Sequence, residues 1–316
     1  MLAETVSRLF AEVESDQLQP TIDEMGLAGL MLSEGQGGAG CGWEELFEVL
    51  EPAGQYAAAV PLGENILASQ LLGKAGNFSL SPYVEGSLQE GKFSGEVRNI
   101  PWGRAVDTVV AQAATGDVFS LDTSAAHCRE NHNLADEPRD TLIFDRQAIG
   151  PLESADLLQY CALMRSVQMA GALEGALQLT AAYTLERHQF GRAIGKFQAV
   201  QQQLAVFAVE VAAVSCAVRA ACRAATRGDA AFQIGAAKLR ANTAVEIASR
   251  TAHQVHGAIG FTREHQLRQF TQRLWSWRTE YGNDRYWSEF LGRRVIERGA
   301  EHFWSDLTAR DDRVAG

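Results

Sequence analysis

A chain of 316 residues can bury two or three separate cores, so a single small module is excluded. Hydrophobic residues make up 46% and charged residues 21%, the balance of an ordinary globular protein rather than a disordered or fibrous one. The formal net charge of −11 excludes a broad basic face and with it a nucleic-acid partner, while the local cluster from Arg187 to Lys196 remains compatible with a phosphate-bearing small molecule.

The N-terminus carries acidic residues early and has no long apolar core, which reads as neither signal peptide nor anchor. From Leu2 to about Leu72 short apolar-periodic stretches predict a helical domain, taken as 1–75. The glycine-rich segment Glu34 to Gly42 interrupts it. A dinucleotide fingerprint would need a preceding strand and a βαβ unit, so the glycines are read as a tight turn between helices, with Trp43-Glu44-Glu45 opening the next one. Between Phe78 and about Asp145, Gly, Ser, Pro and Asn punctuate β-prone runs at 107–112, 118–121 and 141–144, which predicts a small β domain within 76–150.

From Leu157 onward Ala, Leu, Gln and Arg dominate, and helices are expected at about 152–187, 196–226, 229–256 and 264–301, a four-helix bundle occupying 151–316. No run reaches the roughly 18 apolar residues that a membrane span needs. The five cysteines include no CxxC, so neither a disulfide framework nor a zinc site is suggested, and a reducing, cytoplasmic setting is expected. Cys216 and Cys222 read as buried small hydrophobes in an Ala-rich helix. His253 and His256 lack a further ligand at metal spacing and read as packing residues, with no metal implied.

Two segments of the last region resemble signatures of the acyl-CoA dehydrogenase superfamily: Leu185-Glu186-Arg187-His188-Gln189-Phe190-Gly191-Arg192, continuing to Gln201, and Gln254-Val255-His256-Gly257-Ala258-Ile259-Gly260-Phe261. Met25 to Leu30 and Phe93 to Gly103 are similar to further family landmarks. The resemblance implies a mainly α fold with a small middle β domain. It also implies FAD held across a subunit contact: Arg187 would contact its diphosphate and Phe190 would pack on the cofactor, with Gln189, Phe197, Gln198 and Val200 nearby, and Gln254, Gly257 and Ala258 of the second segment would approach the same diphosphate. A guanidinium can hold two phosphate oxygens at once, and glycine admits close backbone approach, so these residue types suit the task. The family commonly has glycine where Ala258 stands.

The family's reaction removes two hydrogens from adjacent carbons of an acyl-CoA, with a glutamate as base in a Glu-Gly pair. Counting from Gln254 puts Tyr281-Gly282 in that place and Glu280 one residue early, and the alternative base position on an earlier helix falls near Cys161. No Thr-Glu-Pro-like flavin segment is found between Leu72 and Gly95, so the β domain looks curtailed, and Arg98 to Gly103 would keep part of the neighbouring strand. These departures, with the Trp-rich end around Trp275, Trp277 and Trp287, resemble the short subunits of α2β2 dehydrogenases of steroid side chains. The implied partners are an acyl-CoA, a base-bearing second subunit and an acceptor such as electron-transfer flavoprotein. Two other readings stay open: a self-sufficient homo-oligomer using Glu280, and a non-catalytic assembly subunit that has lost flavin.

Overall fold

Apolar residues at three- and four-residue spacing set the first helices. In the computed structural model, which describes residues 2–312, α1 (Leu2–Glu12) buries Val6, Leu9 and Phe10, and α2 (Ser15–Glu24) buries Leu18 and Ile22. The glycine-rich segment is the turn its composition predicts. A Cβ on Gly38 would lie 2.3 Å from the carbonyl oxygens of Gly29 and Leu32. Helix α3 (Trp43–Gln55) starts where Gly42 N donates to the Glu45 carboxylate at 2.9 Å, and α4 is Leu62–Leu72.

The middle of the chain is two small sheets. Their strands are β1 (Phe78–Ser81), β2 (Val84–Gln89), β3 (Lys92–Pro101), β4 (Thr108–Gln112), β5 (Val118–Asp122), β6 (His127–Arg129), β7 (Arg139–Ala148) and β8 (Gly150–Pro151). One sheet has the order β1-β4-β5-β8, with β1 parallel to β4, and the other is the antiparallel β2-β3-β7-β6. Phe93, Val97, Ile100, Val109, Phe119, Leu121 and Leu142 of the two sheets form one core, with the Phe93 and Phe119 rings 5.4 Å apart. The β-prone runs at 118–121 and 141–144 fall within β5 and β7, and that at 107–112 coincides with β4 except for Asp107.

The last region holds α5 (Leu157–Glu186), a minimal hairpin of β9 (His188–Gln189) and β10 (Arg192–Ala193), α6 (Gln198–Arg227), α7 (Ala231–His256), α8 (Leu267–Thr279), α9 (Asp284–Arg298) and α10 (Phe303–Asp312). The single helix expected over 264–301 is therefore broken. Tyr281 and Gly282 adopt positive φ (57° and 103°), and the Asn283 side chain accepts from Tyr286 N at 2.9 Å to start α9. Helix α3 crosses α5 at glycines so closely that a Cβ on Gly171 would fall 1.9 Å from Glu51 O. Through that crossing the N-terminal helices and the bundle share one continuous core, from Leu50 through Val167 to Val245 and Trp277.

Two sequence expectations about α6 need correction. An 18-residue window of it reaches a mean hydropathy of 1.9, so by length and composition this helix could cross a membrane, because Ala and Val are diluted by very few charges. It lies instead along α3, α5 and α7. Only 28% of that window is buried within the chain. Its buried stripe is Phe207, Val211, Val214, Val218 and Cys222, and Cys216, two residues past Val214, turns to the opposite, exposed face.

Candidate functional site

Chemistry-bearing side chains gather at two places along α5. The first is the bundle end where α5 stops. Arg187 leaves the helix in an extended conformation, its N–H donating to Tyr183 O at 2.9 Å and its carbonyl accepting from Ile194 N at 2.8 Å. Between these bonds the hairpin turns through Phe190 and Gly191 at φ 50° and 77°, the left-handed pair that a two-residue loop requires. The turn leaves the Phe190 ring 91% exposed, edge-on to Phe197 at 6.2 Å, while the Arg192 guanidinium lies 4.2 Å over the Phe197 ring. Arg187, Gln189 and Gln198 are exposed and Phe197 and Val200 half-buried. Among the described residues the Arg187 guanidinium has no ion-pair or hydrogen-bond partner.

Helix α7 delivers the second motif to this same end. Tyr183, one turn before Arg187, stacks on His256, two residues after Gln254, with centroids 4.4 Å apart, and its hydroxyl donates to His256 O at 3.5 Å. At Gly257 the chain adopts φ 65° and ψ −144°, a conformation side-chain-bearing residues avoid. Gln254, Gly257 and Ala258 are exposed. His256 Nδ1 donates to Ala252 O at 2.8 Å, and His253 stacks on Phe261 at 4.1 Å. Burial lowers the pKa of both rings, so they pack as neutral groups at pH 7. An unpaired guanidinium, a bare aromatic ring and glycine-exposed backbone together fit an anionic diphosphate flanked by flat rings, the chemistry of a flavin dinucleotide.

The second place is buried where α4, α5, β7 and the α8–α9 break meet. Three carboxylates and three guanidiniums alternate there: Glu64 pairs with Arg165, Arg165 with Glu280 at 3.0 Å, Glu280 with Arg139 at 2.9 Å, Arg139 with Glu137 at 3.0 Å and Glu137 with Arg273 at 2.9 Å. Asn133 Nδ2 also donates to Glu280 at 3.1 Å. Burial alone would raise the Glu280 pKa, but Arg139 and Arg165 outweigh it and hold the carboxyl at about 2. Tyr281 takes the position where counting expects a base. It stacks on Tyr83 at 6.2 Å, with its hydroxyl 3.5 Å from Glu64 and its own N–H donating to the Tyr83 hydroxyl at 2.8 Å. Cys161 is fully buried, and burial drives its thiol pKa well up. Beside the network a cavity of about 370 Å³ opens, lined by Tyr83, Asn99, Asn133, Arg139, Glu280 and Tyr281 among others.

Sequence reading found Glu280 but missed Glu64, Glu137, Arg139, Arg165, Arg273 and the fully buried Lys238. The available signal was charge inside apolar helical runs, as at Arg165 between Met164 and Val167, where a charge must find partners.

Comparison with known proteins bears on the whole arrangement. The model of the acyl-CoA dehydrogenase C-terminal domain matches residues 154–296. The chain is 30% identical over 260 residues to acyl-CoA dehydrogenase IpdE2 of Mycobacterium tuberculosis, covering 79% of this chain and 77% of that protein. It belongs to the acyl-CoA dehydrogenase family. IpdE2 of Mycolicibacterium smegmatis is 29% identical over 256 residues, covering 79% and 78% of the two chains. Among solved structures, a variant of the steroid ACAD Tcur3481-Tcur3483 matches with a TM-score of 0.86 at 22% identity, over 95% of this chain and 98% of that one. The ChsE4-ChsE5 complex of Mycobacterium tuberculosis matches with a TM-score of 0.83 at 20% identity, over 94% and 96%. This acyl-CoA dehydrogenase chain thus has the family's mainly helical fold, with Tyr281-Gly282 where counting from Gln254 expects Glu-Gly.

Proposed function

We propose that this chain is a base-lacking subunit of a heteromeric FAD-dependent acyl-CoA dehydrogenase that desaturates the α,β bond of an acyl-CoA, with steroid side chains as the acyl class. The observation that carries the proposal is the separation of the two places along α5. From Arg165 to Arg187 the helix runs 22 residues, on the order of 30 Å at its rise per residue. A diphosphate clasped at the Arg187 end is therefore remote from this chain's own cavity, and the flavin ring attached to it belongs with a neighbouring subunit.

In this reading Arg187 takes two phosphate oxygens, Gln254 adds an amide and Gly257 lets backbone approach. Phe190 packs on the cofactor with Gln189, Phe197, Gln198, Val200 and Ala258 around it. FAD, when bound, supplies the acceptor for the hydride leaving the β-carbon. The base comes from the partner, because Glu280 is spent on two guanidiniums and an amide, and a carboxylate of pKa about 2 is a weak proton acceptor. The α6 face with Val206 and Val209, 52% and 66% exposed, supports a covering subunit. The division into 1–75, 76–150 and 151–316, the cytoplasmic setting and electron-transfer flavoprotein as acceptor belong to the same proposal.

The test is co-expression with a base-bearing acyl-CoA dehydrogenase subunit. The proposal expects a yellow complex that turns over a steroid-side-chain CoA ester, and Arg187→Ala to strip its flavin. A chain that alone reduces a dye with acyl-CoA, and loses this in Glu280→Gln, would favour the homo-oligomer instead.

A further inference from the structure

We infer that Lys238 is a positioning residue whose ammonium group clasps the α8–α9 break and so fixes the wall that Glu280 and Tyr281 give to the cavity. Lys238 stands in the middle of α7, fully buried, and the three hydrogens of Nζ are shared among four acceptors within hydrogen-bond distance: Asn242 Oδ1 at 2.6 Å, Trp277 O at 2.9 Å, Arg278 O at 3.3 Å and Gly282 O at 3.3 Å. Two of these are carbonyls of the last turn of α8, which have no partner inside their own helix and carry its negative dipole end. The third belongs to the break itself, where Asn242 Nδ2 also donates to Gly282 O at 3.3 Å. One side chain therefore ties both edges of the interruption to a rigid helix.

The break needs such a tie. Tyr281 sits at φ 57°, where a residue with a Cβ persists only if its surroundings over-determine it. Its N–H is held by the Tyr83 hydroxyl and its carbonyl accepts from Trp287 Nε1 at 3.1 Å. Gly282 has no room for a side chain, since a Cβ there would lie 2.3 Å from Trp287 Nε1. Lys238, together with Asn242, supplies the remaining restraint on that peptide.

The clasp depends on a proton. An ammonium offers three hydrogens to these acceptors, whereas a neutral amine offers two and turns a lone pair toward a carbonyl. The charged groups facing it are Arg165 of α5, Arg278 of α8, Glu280 of the break and Asp284 of α9, two of each sign. Burial pushes the Lys238 pKa down to about 7. As pH rises through that value the clasp loosens, the break gains freedom and the cavity wall softens.

Hydrogen–deuterium exchange on the full chain tests this, comparing amides 279–283 with those of α7 at 241–252 as an internal reference. Across about pH 6 to 9, bracketing the lowered pKa, we expect the wild-type break to lose roughly tenfold protection relative to α7. Lys238→Met should show the low value at every pH. A flat wild-type ratio, or a Lys238→Met break as protected as wild type, overturns the inference. If Lys238→Met does not fold, the wild-type series decides alone. The measurement needs neither flavin nor turnover, so its failure is distinct from failure of the proposed function.

Discussion

The end of α5 and its middle handle charge in opposite ways. At the end, Arg187 and Phe190 stand in solvent on a tight hairpin, Phe190 touching the edge of Phe197 and Arg187 bonded through its backbone. In the middle, Arg165 is buried and committed to two carboxylates, with its guanidinium also 4.9 Å over the Trp277 ring. A charge left uncompensated at the surface can meet an external anion. Such a charge costs little to keep there, whereas a buried one must be paired within the chain and is then unavailable for chemistry. The contrast explains how a chain can leave a guanidinium unpaired at one end of its bundle while the carboxylates Glu64, Glu137 and Glu280 at its core are all ion-paired.

The sharpest way to break this comparison is to unpair the core. Arg165→Met leaves Glu64 and Glu280 without a shared cation, and we expect a loss of roughly 3–5 kcal/mol in denaturant unfolding. Acid gives a second measure of the same network. The Glu280 pKa is lowered from 4.5 to about 2 in the folded chain, so its stabilisation is complete above the unfolded value and is lost as pH falls through the folded one. That window runs from about pH 4.5 down to 2 and is worth about 3 kcal/mol. Glu280→Gln should flatten unfolding stability measured across it.

Smaller effects sharpen the comparison from the other side. Gly282→Ala places a Cβ against Trp287 at a positive φ, and we expect a loss of about 1–3 kcal/mol in thermal unfolding, with no change at the α5 end. Arg187→Ala should leave chain stability within about 0.5 kcal/mol while lowering flavin affinity of the co-expressed complex roughly 10- to 100-fold, read by flavin titration. Cys216→Ser, on the exposed face of α6, should change the unfolding free energy of the isolated chain least, by no more than about 0.5 kcal/mol in denaturant titration.

Much of the fold was legible because periodicity is local. The apolar spacing that predicts α5, α6 and α7 needs no knowledge of their partners, and the glycine-rich turn before Trp43 follows from backbone freedom alone. The break at 280–283 was missed although Gly282-Asn283 is a local stop-and-cap signal, because the apolar spacing on both sides of it reads as one helix from Leu267 to Arg298. Restraints from Tyr83, Lys238, Asn242 and Trp287 then fix how Tyr281 sits in it. The exposure of Cys216 shows the same limit, since composition reports that a helix is apolar but not which of its faces is covered.

The sequence by itself determined the helical, β, helical order, the motif that carries Arg187 and Phe190, and the glycine at 257, all matters of spacing and residue type. Tertiary structure alone decided that Glu280 is spent on Arg139 and Arg165, and that Tyr183 and His256 join the two distant motifs at one bundle end. It also placed a lysine of α7 beneath the break in another helix. The reason is that pairing of charges and stacking of rings depend on which surfaces meet once helices pack, and residues some 73 to 141 positions apart meet there without any local signal of it.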